Sequence, residues 1–276
     1  MKDLNYKVLV VLFIFMFLSQ HSFSQESNSY VDFPFFQISF KEGKNISFYK
    51  LDPNTDIETK LNGIYNVSSR NGVPFLNIIW ENNQKETFLM LSNELFCFLY
   101  NNDSFPYITG FHGSTPMAGE NFLLSPDGIR ASSYLIENGK AYLPNNLNSE
   151  VGKAWVEGVE GQGIHEKLFI RQSGISAIHI SLGFVSYARP NLYEENSRPK
   201  KIRVSVEGLF SFEVNLSDTP NFQTINLPKE LQKNDILVIE ILEVYPGTKY
   251  EDTCINCIIY DLRSVSAQVS GAILEE

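Results

Sequence analysis

KIRVSVEGLFSFEVNL, residues 201–216, decides the fold. Ile202, Val204 and Val206 alternate with Arg203, Ser205 and Glu207, and beyond Gly208 the same two-residue period runs through Phe210, Phe212, Val214 and Leu216. A period of two puts apolar side chains on one face of a β-strand and polar ones on the other, so each run buries one face and offers the other to water. Strand-like stretches recur on both sides of it, at 129–135, 167–171, 176–182, 223–227, 236–244 and 255–265. Together they are expected to form eight strands in a β-sandwich of jelly-roll type. The run ILVIEILEV from Ile236 is apolar on both sides of its alternation, as expected of a central strand covered on both faces. His179 falls on the polar side of its own alternation. Helical periodicity is missing throughout, so the fold class read from the sequence is all-β.

The N-terminal half reads as a separate antiparallel meander from Phe33 to Tyr100. Phe36, Ile38 and Phe40 oppose Gln37, Ser39 and Lys41, and Asn71-Gly72 separates GIYNVSSR from VPFLNIIW, a strong hairpin signal. Trp80 and Tyr65 on such a meander are read as packing residues. Between Asn101 and Asp127, Pro106, Gly110, Gly113, Pro116, Gly119 and Pro126 interrupt every apolar run, which is expected to be the interdomain connection. Residues 25–118 are thus expected to form one β domain and residues 119–276 another, each with its own core.

The first 24 residues read as a secretory signal peptide. Lys2 and Lys7 precede an unbroken apolar run from Val8 to Leu18, followed by Ser22, Phe23 and Ser24. That run falls well short of the roughly 20 residues a bilayer-spanning helix needs. The expected location is secreted or periplasmic, with no transmembrane segment in the mature chain. The formal charge of −10 over 276 residues makes nucleic acid an improbable partner. Among the three cysteines, Cys254 and Cys257 form a C-x-x-C, but TCINCIIY is β-branched and strand-like where a redox motif would need a helix N-terminus. Buried thiols, or a bridge to Cys97, are the expectation.

Function is sought on the loops of the sandwich, where a rigid β-scaffold presents its binding side chains. AWVEGVEGQGIHE from Ala154 supplies Trp155 and Glu157; GFVSYARPNLYEENSRPKKI from Gly183 supplies Tyr187, Arg189, Tyr193 and Arg198; EVYPGTKYEDTC from Glu243 supplies Tyr250 and Asp252. Flat rings stack on the apolar face of a sugar while guanidinium and carboxylate groups take its hydroxyls, so these eight residues are the candidate ligand-binding set. The opposing reading makes Trp155 a plug in the core, has Glu157 satisfy buried backbone donors, and forks Arg198 onto a carboxylate such as Glu157 or Asp252. Catalysis finds little support. His165-Glu166 lacks the second histidine of a metal motif, and neither a nucleophile elbow nor a phosphate loop occurs.

At these residues the chain resembles the NADase-type glycan-binding domain, the discoidin-like NAD glycohydrolase translocation module. The resemblance runs from about Ile129 to Ile258 through Ser132-Ser133, Asn146-Leu147, WVEGVEGQGI, NLYEENSRPKKIRVS, FQTINLP and ILEVYPGTKYEDTCI. It implies a galactose-binding-like jelly roll, attached to varied exported partners, that holds carbohydrate or a cell surface; the lack of catalytic motifs makes a non-catalytic protein the expectation. An exported protein partner met through the meander is the alternative. Relatives of this type carry acids that help hold a structural Ca²⁺, and here Asn148 or Ser149 and Cys257 stand in their places, which leaves a calcium site in doubt and no other cofactor expected. The resemblance does not extend to the meander, residues 25 to about 118, whose role is left open.

Overall fold

The computed structural model describes residues 35–51, 58–93, 95–101, 107–110, 122–123, 128–148 and 153–263. The expected signal peptide and the boundary between residues 118 and 119 lie outside them. Among the described residues the chain is almost wholly antiparallel β-structure, with a single α-helical turn.

Seven strands, paired in chain order, form the meander: β1 (Phe35–Lys41), β2 (Asn45–Leu51), β3 (Glu58–Arg70), β4 (Val73–Trp80), β5 (Lys85–Ser92), β6 (Phe96–Tyr100) and β7 (Tyr107–Gly110). Asn71 (φ 50°) and Gly72 (φ 76°) make the β3–β4 turn, and positive φ at both positions is what the hairpin's right-handed twist demands. The first and last strands come within 8 Å of each other, so the sheet is rolled. Its inner face holds Ile46, Leu76, Ile78, Trp80, Phe88, Met90, Cys97 and Leu99. β7 corrects one expectation: residues 107–110 are not connection but the meander's last strand, pairing Phe98 with Ile108.

The C-terminal half is a sandwich of two five-stranded sheets. One runs in the order β16 (Phe210–Asn215), β15 (Arg198–Val206), β18 (Leu237–Tyr245), β13 (Lys167–Ile170), β9 (Ile129–Ala131). The other runs β12 (Trp155–Val156), β19 (Cys254–Asp261), β14 (Ala177–Leu182), β17 (Gln223–Asn226), with β8 (Phe122–Leu123) also on β19. β8 is a second strand within the stretch expected to be a linker. The core between the sheets takes Leu168, Ile202, Val204, Ile239 and Ile241 from the first and Ile178, Ile180, Ile225 and Ile258 from the second. All eight expected strands are present.

The two halves share a core. Val73, Phe75, Leu89, Leu91, Phe96, Phe98 and Tyr100 on the outer face of the meander pack against Phe122, Val185, Tyr193, Phe222, Cys257 and Ile259 of the sandwich half. Phe222 lies 5.1 Å from the rings of both Phe96 and Phe98. Both backbone groups of Ser92 seal the joint: Phe222 N–H donates to Ser92 O (3.1 Å), and Ser92 N–H donates to the Asn221 side-chain Oδ1 (3.2 Å). Each half keeps its own core, and this third cluster joins them; two readings of individual strands are corrected. β14 and β19 are buried along their whole length, because the meander covers the face that would otherwise meet water. His179 is accordingly buried rather than exposed. The ILVIEILEV strand alternates between buried and half-buried instead, since its outer face is open.

All three cysteines are free and buried, and each sits in a different apolar cluster. Burial pushes the Cys97, Cys254 and Cys257 thiols up, away from the reactive thiolate.

Candidate functional site

Strand register places the loops of residues 132–148, 157–166, 183–197, 216–222 and 246–253 at one end of the sandwich. This end carries all eight candidate residues, and they divide into two groups.

Trp155, Glu157, Tyr193 and Arg198 face inward, with exposures of 0, 0, 3 and 6 %. Trp155 belongs to the sandwich core, and its Nε1–H donates to Ser133 O (3.0 Å). The Glu157 carboxylate accepts from the backbone N–H groups of Val159 (2.9 Å) and Thr253 (3.1 Å), tying two loops together. Its carboxyl is pushed above the usual carboxylate range by burial, against which those two hydrogen bonds act. Gly163 (φ 62°) runs directly over the Glu157 Cγ, where a Cβ would collide. Arg198 forks not onto Glu157 or Asp252 but onto Asp218: Nε donates to Oδ1 (2.7 Å), Nη2 to Oδ2 (2.9 Å), and Nη1 to the carbonyls of Tyr193 (3.0 Å) and Asn196 (2.6 Å). Burial pushes the Asp218 carboxyl up, but the Arg198 and Tyr193 hydrogen bonds outweigh it and hold it below its ordinary value. These four residues brace the loops and do not point into solvent, which corrects their expected orientation.

Tyr187 is turned as well. Its hydroxyl donates to Thr87 O on β5 (3.2 Å) and its ring meets Phe75 edge-on at 5.7 Å, so it fastens the 183–197 loop to the meander. A second fastening lies at the helical turn α1 (Leu192–Glu195). Gly72 approaches the Tyr193 ring so closely that a Cβ there would sit 3.0 Å from it, and Asn71 Nδ2 donates to Glu194 Oε2 (3.3 Å).

Arg189, Tyr250 and Asp252 are left facing outward: the first two are exposed and the third is half-buried. Around them stand residues that sequence reasoning passed over. The hairpin β10 (Ile136–Glu137) and β11 (Lys140–Ala141) brings Glu137 and Lys140 to this end, and Tyr142 follows. Lys140 Nζ lies 4.8 Å from the Tyr142 ring centre, and the ring packs on Phe184 at 5.9 Å. Burial raises the Tyr142 hydroxyl, Glu137 adds to that, and Arg189 opposes it. Burial likewise raises Asp252, helped by the negative charges of Glu137 and Glu251. Glu137 is thus within electrostatic reach of both. The turn dipeptide Asn138-Gly139 was the signal in the sequence that could have exposed this hairpin.

The motif segments turn out to be mutual braces. Glu166 Oε2 accepts from Ser132 (2.6 Å) and Ser133 (2.5 Å), and Gly158 N–H donates to Ser133 Oγ (2.8 Å). Thr248 Oγ1 donates to Glu194 O (3.1 Å), and Tyr250 N–H donates to Glu195 O (2.8 Å). At the positions considered for calcium, Asn148 is half-buried, Ser149 lies outside the described residues, and Cys257 is sealed in the apolar cluster with the phenylalanines of the meander. A thiol among rings does not fit an oxygen-seeking cation. No group of three or more His, Cys, Asp or Glu suited to a metal ion occurs among the described residues, and no helix there is long and apolar enough to cross a membrane.

A jelly-roll sandwich with its side chains gathered on the loops of one end is a discoidin-like, galactose-binding-like module. The chain belongs to the NAD glycohydrolase translocation F5/8 type C domain family, whose model matches residues 124–261. Among solved structures it is similar to the family 32 CBM from C. perfringens NanJ in complex with galactose, at 12% sequence identity and a TM-score of 0.35, over 49% of this chain and 92% of that one. No curated protein matches.

Proposed function

We propose that the chain is an exported, non-catalytic binding module that holds a glycan at the loop end of its sandwich. The observation that carries this reading is the set of outward polar and aromatic groups there. Arg189 supplies donors, Asp252 and Glu137 supply acceptors, and Tyr250 offers a part-exposed ring with Lys249 Nζ 4.8 Å over it. Such a mixture suits a ligand made of hydroxyls and apolar ring faces. The braces behind it support the reading, because a loop end already held by internal hydrogen bonds loses little further freedom on binding. Family membership points the same way. The test is a glycan array probed with the purified protein. Retention on a defined set of glycans, lost in Arg189→Ala, is expected; background over the whole array overturns the proposal.

A second reading draws on the inward set. With Trp155, Glu157, Tyr187, Tyr193 and Arg198 all engaged inside the molecule, the loops are architectural and the module meets another exported protein through its meander. Glycan retention that disappears in Arg189→Ala and Tyr250→Ala at unchanged melting temperature excludes it.

A further inference from the structure

We infer that His179 is an acid-sensitive joint between the meander and the sandwich, closed while its imidazole is neutral. The inference does not depend on what the loops bind. His179 lies on the covered face of β14, ringed by both halves of the molecule: Phe96 from β6 (5.2 Å between ring centres), Phe122 from β8 (5.7 Å), Thr224 from β17, Asp261 from β19, and Asn93 from the β5–β6 turn. Among the described residues the charged groups on this side are Asp261, 3.5 Å from Nε2, and behind it Arg263, whose Nε and Nη2 donate to the same carboxylate (Nη2 at 2.6 Å).

The tautomer follows from Asn93. Its Oδ1 accepts from the backbone N–H groups of Leu95 and Phe96, both at 2.9 Å, so the amide cannot be turned round and its Nδ2 must be the end that faces His179 Nδ1, at 3.3 Å. An amide nitrogen only donates. Nδ1 therefore accepts from Asn93 and from the Thr224 hydroxyl (3.0 Å), and the ring proton sits on Nε2, 3.5 Å from Asp261 Oδ2 and longer than a good hydrogen bond. A second proton on Nδ1 could be taken by the Thr224 hydroxyl, which accepts as well as donates, but it would set donor against donor at Asn93, break the one described side-chain hydrogen bond between the ring and the meander, and place a cation among phenylalanines beside a carboxylate that Arg263 already neutralises. Asn93 also caps the turn that begins β6, so the disturbance reaches the shared core.

The test is local hydrogen exchange of the full chain between about pH 8 and about pH 5, corrected for intrinsic exchange rates. Opening of the amides at 91–98, 177–181 and 223–226 should rise about tenfold as the pH falls, the effect of losing one buried hydrogen bond. Glutamine can copy the neutral ring by accepting from Asn93 and donating to Asp261, so His179→Gln should flatten the profile. Asn93→Asp keeps an oxygen for the turn and presents a second to Nδ1, so it should reverse the sign and make the joint tighter in acid. Imidazole chemical shifts showing His179 charged at about pH 8, or an acid profile that Asn93→Asp leaves unchanged, would overturn the inference even if His179→Gln failed to fold.

Discussion

The two sheets of the sandwich obey the same alternation rule but differ in what lies outside them. In the β15–β16–β18 sheet the inner positions are buried and the outer ones carry Lys201, Arg203, Glu213 and Glu240, paired with one another across strands at 2.5–3.2 Å. In the β14–β19 sheet the outer positions are His179, Ser181, Cys257 and Ile259, every one buried: His179, Cys257 and Ile259 against the meander, and Ser181 under the Pro220 carbonyl. Alternation in a sequence thus reports which residues share a face. Whether that face is wet depends on a partner layer that comes from elsewhere in the chain.

The sharpest way to break this comparison is to remove the covering layer. A chain beginning at residue 119 would expose Val185, Phe222, Cys257 and Ile259 together. It is expected to be insoluble or to bind a hydrophobic dye, as large contiguous apolar patches make proteins do. A soluble, cooperatively unfolding fragment would mean that the joint is a contact and not a core. Next in size is Phe96→Ala, which empties the centre of the joint and should cost about 3–5 kcal/mol in urea unfolding. Val238→Ala, at a half-buried outer position of the open sheet, should stay within about 1 kcal/mol.

Arg198 connects the joint with the loop end, and its pairing gives a prediction with a definite sign. Asp218 has a folded-state pKa below its unfolded value, so its stabilisation is present above the unfolded pKa, about 4, and is lost as the pH falls through the lowered one. Arg198→Met should remove that part of the acid sensitivity and destabilise by about 2–4 kcal/mol at neutral pH, since it leaves the Tyr193 and Asn196 carbonyls without their donor; partial exposure of Asp218 tempers the ionic part. Urea midpoints at about pH 7 and about pH 3 check both statements. Glu157 runs the other way. Its raised pKa means a contribution held at low pH and lost as the pH climbs through the folded value, and Glu157→Gln should flatten that decline.

The sandwich strands were legible because each carries its own period, down to the residue pairs of the 201–216 hairpin. The short strands were not. Phe122–Leu123 and Tyr107–Gly110 sit among prolines and glycines, and their pairing is imposed by β19 and β6 instead of by their own pattern. The loop residues were legible as a group and misjudged in orientation. A tryptophan, a buried glutamate and an arginine are the residues a ligand site needs, but they are also what a long loop uses to satisfy its own backbone, and Asp218, the true partner of Arg198, lies in a loop where no motif points. Glu137, Lys140 and Tyr142 were missed for a simpler reason: two-residue strands carry too few side chains to show a period.

The smallest expected effect separates the two groups of loop residues most cleanly. Arg189→Ala and Tyr250→Ala remove side chains that face outward, and each should change unfolding free energy by no more than about 0.5 kcal/mol. Tyr187→Phe deletes only the hydroxyl that reaches Thr87 O and should cost about 1 kcal/mol through the joint, with glycan retention unchanged. A residue that orders a loop from within lowers stability first and binding as a consequence, whereas a residue that touches ligand lowers binding alone. Parallel melting and glycan-retention measurements on the three variants sort them on that rule. If Arg189→Ala melted early while Tyr187→Phe lost retention, the outward and inward groups assigned to this end of the sandwich would have to be exchanged.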